Sequence, residues 1–217
     1  MDQKKLDQQF HHWEASFLSK SEMFGLEPSI AAVKALKIFK EKNIKKITEL
    51  GAGLGRDTIF FAKNSIYVES LDYSKASIES ITNKSIKLNL AEFIKPKLFD
   101  IREKLPFEDN SIDGCFSHML YCMALSNSDL ENLNNEICRI LKPGGINIYT
   151  VRHTDDGDYK KGIHRGEDLY ENDGFIVHFF SKEKVNSLLK GFQNLKIENF
   201  EEGKFPRKLF FVCNKKD

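Results

Sequence analysis

Charge of either sign is not in excess in this sequence. It has 33 Lys and Arg against 32 Asp and Glu, a formal net charge of +1 over 217 residues. A near-neutral chain gives no electrostatic case for a nucleic-acid partner. Cysteine is scarce and unpatterned. The four cysteines, Cys115, Cys122, Cys138 and Cys213, form no C-x-x-C pair, which argues against a structural zinc site and against a disulfide framework. Reduced thiols fit a cytoplasmic protein. No histidine and cysteine spacing of the H-E-x-x-H kind occurs, so no metal is expected. Long apolar runs are also missing: no stretch of about 18 apolar residues exists to span a membrane, and residues 1–10 lack the apolar core of a signal peptide. Repeats and low-complexity linkers are absent. What remains is ordinary globular composition, 41% apolar and 30% charged, at a length that suits one domain over residues 1–217. Nothing in it sets the oligomeric state.

From residue 44 onward, short apolar runs alternate with longer helical patterns, which predicts a parallel sheet with helices on both faces. Seven strands are expected, at residues 46–50, 66–71, 97–99, 112–117, 146–151, 195–200 and 208–213. The last two have no clear helix between them and should pair antiparallel at the sheet edge. Residues 1–43 read as a helical cap. Phe10, Trp13 and Phe17 recur at steps of three and four. A second helix starts after Glu27-Pro28-Ser29, with Ile30, Val33, Leu36 and Phe39 as its inner face. Ile59, Phe60 and Ala62 are buried candidates in the helix after the first strand. Ser128 and Glu131 read as a capping box ahead of Leu130, Leu133, Ile137 and Ile140. Ser181 caps a later helix. Residues 152–173 are charged and irregular and read as a long loop, a feature often functional in compact domains.

The first strand runs into Glu49-Leu50-Gly51-Ala52-Gly53-Leu54-Gly55. Glycines let the backbone turn tightly and approach a ligand closely, and the helix start that follows offers free N–H groups. The next strand ends at Asp72, where a carboxylate can accept from both ribose hydroxyls of an adenosine. A dinucleotide loop of G-x-G-x-x-G form would need glycine at position 56, which is arginine. The loop therefore lacks the shape for a diphosphate on the helix N-terminus, and a cofactor without phosphates, such as S-adenosylmethionine (SAM), fits better than NAD.

The run Glu49 to Thr58 resembles motif I of the class I SAM-dependent methyltransferases. Leu71-Asp72-Tyr73-Ser74 is similar to the family's second-strand acid segment, and Asp100-Ile101 to the acid that meets the adenine amino group. Ile137-Cys138-Arg139-Ile140-Leu141-Lys142-Pro143-Gly144-Gly145 resembles its turn before strand five. Gly55-Arg56-Asp57-Thr58 is also similar to the tellurite-resistance and thiopurine methyltransferase-like branch. The resemblance implies an α/β, Rossmann-like fold: a seven-stranded sheet with its last strand antiparallel, plus the helical cap. It divides the chain into cap (1–43), SAM-binding core (44–151) and substrate loop with closing hairpin (152–217). It also implies that Gly51, Ala52, Gly53 and Gly55, with Arg56 and Asp57 following, pass the methionine end of SAM. Asp72 would hold the ribose, Tyr73 stack near the adenine, and Asp100 and the Ile101 N–H meet its edge. Ser117, His118 and Met119 would face the methyl donor. Glu49 either orients the methionine end or caps loop amides.

Methyl transfer from a sulfonium is an in-line displacement, so the protein mainly aligns donor and acceptor; a hydroxyl or ammonium acceptor also needs a base. His118 and Tyr121, after strand four, and Arg152 and His153, at the end of strand five, are the catalytic candidates. His164, Arg165, His178 and Arg207 are candidate substrate contacts, since guanidinium groups suit an anionic acceptor. Cys122 reads as a buried structural thiol near the crevice. Phe10, Trp13, Phe17 and Phe24 either exclude water over the cofactor or pack on the sheet. The expected function is methyl transfer to a small-molecule acceptor. A protein or RNA acceptor, a NAD-dependent dehydrogenase and a non-catalytic SAM-binding protein are the alternatives.

Overall fold

The computed structural model describes residues 3–203 and 206–217. Three helices come first, α1 (Gln3–Asp7), α2 (Gln9–Ser19) and α3 (Ile30–Glu41). Strands and helices then alternate through β1 (Lys46–Leu50), α4 (Arg56–Lys63), β2 (Tyr67–Asp72), α5 (Lys75–Lys87), β3 (Ile94–Leu98), β4 (Ile112–His118), α6 (Asn127–Ile140) and β5 (Leu141–His153). The rest is β6 (Ile163–Gly166), β7 (Leu169–Asn172), β8 (Phe175–Phe180), α7 (Lys182–Ser187), β9 (Phe192–Glu202) and β10 (Arg207–Lys216).

Strands β3, β2, β1, β4 and β5 lie side by side in that order, all parallel. Strand β10 runs antiparallel between β5 and β9. These are the seven strands expected from the sequence, with the last one reversed. Among the described residues three more join them. The end of β5 pairs in parallel with β8, at Arg152↔Phe179 and His153↔Phe180, and β8, β7 and β6 form an antiparallel meander. The segment read as a long loop is thus in part strand. Strands β6 and β7 are four residues each and mostly polar, so they carry no apolar period to detect. Phe205 lies outside the described residues.

The sheet is covered on both faces, as its buried alternation requires. On one face Phe39, Phe61, Val68, Phe116, Ile148 and Phe211 join α3 and α4 to the sheet. On the other, Leu133 and Ile137 of α6 and Val185 of α7 pack against Leu71, Tyr149 and Val212. The inner face of α3 differs from the expected one. Ile30 and Val33 are exposed, and Ala31, Ala32, Ala35, Leu36 and Phe39 are buried. A step of three residues falls about 60° short of a full turn, so the 30, 33, 36, 39 series winds from solvent at Ile30 and Val33 onto the sheet at Leu36 and Phe39. The alanines allow close approach instead. Phe61 rather than Phe60 is buried in α4. The capping box of α6 is Ser126 with Asp129, not Ser128 with Glu131. Ser126 Oγ accepts from the Asp129 N–H (3.1 Å), and Asp129 Oδ2 accepts from the Ser126 N–H (2.8 Å). Ser181 does cap α7. No helix among the described residues is long and apolar enough to cross a membrane.

Candidate active site

A cavity of about 1100 Å³ opens over the carboxyl ends of β1, β2, β4 and β5, where ligands bind in open α/β sheets. Its floor is the glycine loop. Gly51, Gly53 and Gly55 all have positive φ (69°, 54° and 83°), a conformation that costs any other L-residue. Gly51, Ala52 and Gly53 line the cavity. Gly55 does not: its Cα points into the fold, and a Cβ there would lie 2.5 Å from Ile81 Cγ1. Gly55 therefore lets α4 pack closely on α5. Gly55→Ala is expected to cost about 2–4 kcal/mol in urea denaturation, from left-handed strain plus overpacking.

Asp72 ends β2 at the cavity wall. Its Oδ2 accepts from the Gly53 N–H (2.8 Å) and its Oδ1 from the Ser74 N–H (2.9 Å). Burial pushes its carboxyl up to about 6, against the pull of those donors. Glu49 is buried on the floor, where burial and then the nearby Asp57 charge raise its pKa well above the usual range, and it accepts from Thr58 Oγ1 at 2.5 Å. Tyr73 and Ile101 line the cavity. So does Asp100, but its carboxylate is already engaged by Arg102 (2.6 Å), which also reaches Asp7 of α1 (2.5 Å). Burial opposes ionisation of Asp100, and Arg102 outweighs it, leaving the carboxyl below its ordinary range.

Arg56 and Asp57 line the cavity with their polar atoms turned to the protein. Arg56 donates to the Phe24 carbonyl (2.9 Å) and to Glu202 Oε1 (3.3 Å). Asp57 accepts from the Ser29 N–H and from Ser29 Oγ, both at 2.7 Å. The residues behind the narrower branch resemblance thus dock α3 and the cap onto the core.

Strand period decides which acceptor candidates face the cavity. His118 follows Phe116 on one face of β4 and lines the cavity, whereas Ser117 points to the other face and does not. Arg152 lies in line with Thr150 on β5 and lines the cavity. His153 points away, its ring tilted against Phe210 with centroids 4.1 Å apart. Arg152 is buried and forked onto Asp156, with Asp158 at 2.8 Å, so its charge is spent within the protein. Tyr121 is a core residue stacked on Tyr149 at 4.3 Å, and burial raises its pKa well above the ordinary value. It is no candidate base. Cys122 is buried, and burial pushes its thiol up to about 11. His164 and Arg165 lie on the meander, with His164 Nε2 2.9 Å from the Glu167 carbonyl and Arg165 paired with Glu171. His178 is buried between the Leu125 carbonyl (2.7 Å) and Lys184 Nζ (2.6 Å), and burial lowers its pKa to about 4. None of Tyr121, His153, His164, Arg165 and His178 lines the cavity. Arg207 does.

The roof is α2. Phe10, Trp13, Phe17 and Phe24 line the cavity. The helix is fastened at two places, and α1 before it at a third. Gln9 bonds the Gly174 carbonyl and the Ile176 N–H of β8 (2.9 and 3.0 Å). Glu14 accepts from the Ala76 N–H at the start of α5 (3.3 Å), and Asp7 of α1 is bonded by Arg102. Gln9, Phe175, Phe179 and Glu202 carried no sequence signal as cavity residues, because strand register and long-range docking place them there.

Residues 48–149 match the family model described as a methyltransferase domain. The core of this chain belongs to the class I SAM-dependent methyltransferases. Phosphoethanolamine N-methyltransferase 1 of Triticum aestivum is 36% identical over 124 residues, 55% of this chain and 24% of that protein. The tRNA N(3)-cytidine methyltransferase METTL2 of Bos taurus is 28% identical over 163 residues, 71% of this chain and 43% of that protein. The chain thus spans less than half the length of either curated relative. The structure of 1,6-didemethyltoxoflavin-N1-methyltransferase from Burkholderia thailandensis, with 1,6-didemethyltoxoflavin and S-adenosylhomocysteine bound, superposes at a TM-score of 0.71 with 16% identity, covering 95% of this chain and 90% of that one. SAM is the cofactor of this methyltransferase class. The cavity suits it. A Cβ at Gly53 would project toward the Phe24 ring, 3.6 Å away, and the buried Asp72 carboxylate accepts from the Gly53 and Ser74 N–H groups with Ser77 close by, which leaves acceptor capacity for hydroxyls.

Proposed function

We propose that this chain transfers the methyl group of SAM to a small-molecule acceptor by in-line displacement. The observation that carries the reading is the roof: α2, fastened to β8 and α5, with α1 before it held to the Asp100–Arg102 pair, closes the cavity over the glycine loop. A cavity of about 1100 Å³ suits a cofactor with a small acceptor beside it, whereas an intact RNA or protein would require α2 to detach. SAM supplies an activated methyl on sulfonium sulfur. The chain's part is to hold and align. Gly51, Ala52 and Gly53 give the methionine end a close backbone surface, and Asp72 accepts from the ribose hydroxyls. Tyr73, Asp100 and Ile101 form the adenine end, with Arg102 releasing part of Asp100 for it. The aromatic roof excludes water, which strengthens these interactions. The acceptor enters on the side of His118, Phe179 and Arg207.

The names of the curated relatives cover both a small phosphorylated amine and a tRNA, so the test separates acceptors by size. The protein is titrated with S-adenosylhomocysteine by calorimetry, then incubated with methyl-labelled SAM and cell extract. Binding with label in the small-molecule fraction is the expected result. Label in the macromolecular fraction would replace the acceptor class, and absence of binding would end the reading.

A further inference from the structure

Glu202 and Arg207 are directly opposed across the β9–β10 hairpin, and both line the cavity. Opposite charges so placed usually pair, yet no ion pair joins these two. Glu202 Oε1 accepts from Arg56 (3.3 Å) and from the Ile30 N–H (3.4 Å). Its Oε2 is buried and has no hydrogen-bond partner among the described residues. His118 Nε2 lies 3.5 Å from it. His118 is buried, which lowers its pKa, and its Nδ1 shares a 2.9 Å hydrogen bond with Thr150 Oγ1. Arg207 has no ion-pair partner among the described residues. A carboxylate oxygen left without a donor in a buried place is costly, and Arg207, opposite it in the hairpin at the same cavity wall and exposed, has no anion to pair with among the described residues. A ligand that carries both an N–H donor and an anion satisfies the two together.

Resting on the methyltransferase reading above, we propose that Glu202, His118 and Arg207 form the acceptor subsite, and that the acceptor is a small amine carrying a carboxylate or phosphate. Glu202 Oε2 accepts from the ammonium and Arg207 holds the anion. His118 Nε2 takes one proton from the ammonium, giving a neutral amine and an imidazolium beside Glu202. The amine lone pair then forms the new N–CH3 bond as the C–S bond of SAM breaks. The bonding pair stays on sulfur, so S-adenosylhomocysteine and an N-methylammonium leave, and His118 returns its proton to solvent.

The test compares wild type with Glu202→Gln and Arg207→Gln. Acceptors are an amino acid, an aminoalkyl phosphate, the matching amine without an anion, a thiol and a phenol, all with labelled SAM; S-adenosylhomocysteine affinity and thermal unfolding are measured alongside. Turnover of the anionic amines is expected, with kcat/KM at least about tenfold above that of the plain amine. Glu202→Gln should raise KM for the anionic amine by about 10- to 100-fold, as loss of a charged hydrogen bond predicts. Arg207→Gln should erase the preference over the plain amine, and both variants should keep S-adenosylhomocysteine affinity and melting temperature. Methylation of only the thiol or phenol, or of no amine while S-adenosylhomocysteine still binds, would overturn the proposal. So would an equal loss of S-adenosylhomocysteine affinity in Glu202→Gln, which would put Glu202 at the cofactor. Failure of the wild type to bind S-adenosylhomocysteine would instead refute the underlying methyltransferase reading.

Discussion

Asp72→Ala is expected to weaken S-adenosylhomocysteine binding by roughly 100-fold or more, since two hydrogen bonds to a charged acceptor are lost at about 1.5–3 kcal/mol each, partly offset by water. The same carboxylate also holds the Gly53 and Ser74 N–H groups, so its removal loosens the floor on which the methionine end rests. Asp72→Asn keeps the volume and offers one acceptor oxygen, so an intermediate loss is expected. The pH dependence has a definite sign. Burial holds the free-protein carboxyl near 6, and the bound ligand favours the ionised form. Affinity is therefore flat above that pH and falls toward tenfold per unit below it, as protons compete with the ribose hydroxyls. Stability of the free protein moves the other way. A carboxyl raised above its unfolded value of about 3.9 binds its proton more readily when folded. Its contribution therefore favours the folded state as pH falls from about 6 toward 4. Calorimetric titration from pH 8 to pH 5, with Asp72→Asn as the flat reference, checks the first. An acid-side unfolding series comparing the same two proteins checks the second. An unchanged affinity in Asp72→Ala would remove Asp72 from the cofactor site.

Arg152→Met is expected to destabilise the protein by about 3–5 kcal/mol, because it strands a buried carboxylate. Asp156 is only 6% exposed. It receives the Arg152 fork and also the Lys208 N–H at 2.7 Å, so the ion pair ties the end of β5 to the start of β10. The guanidinium also lies over the Phe179 ring, 5.3 Å from its centroid. Pairing Arg152→Met with Asp156→Asn should recover much of the loss, since the unpaired charge, rather than the missing contact, carries most of the cost. Urea unfolding of the four proteins measures this. A stable Arg152→Met protein with lowered kcat/KM would instead make Arg152 an acceptor contact.

Much of the cofactor end was legible in the sequence because its chemistry is local. Gly51, Gly53 and Asp72 sit at the ends of two consecutive strands, and a strand running into a glycine turn fixes its own geometry within a few residues. The acceptor end was legible only as a list of polar residues. His118 and Arg152 face the cavity while Ser117 and His153 face away, and that split depends on strand phase, which an apolar run buried on both faces does not reveal. His164 and Arg165 were drawn to the site by a segment that reads as a loop. In the structure they belong to a short meander whose polar strands pair with each other.

The sequence by itself determined the alternating architecture, the reversed last strand and the phosphate-free cradle, since Arg56 stands where a dinucleotide loop needs glycine. Tertiary structure alone decided what surrounds the acceptor. The α2 roof on β8, the Asp156 contact to Lys208 and the approach of Glu202 to Arg56 and His118 join residues far apart in the chain, through strand register and helix docking. No local periodicity encodes such contacts, because they form only when distant elements have packed.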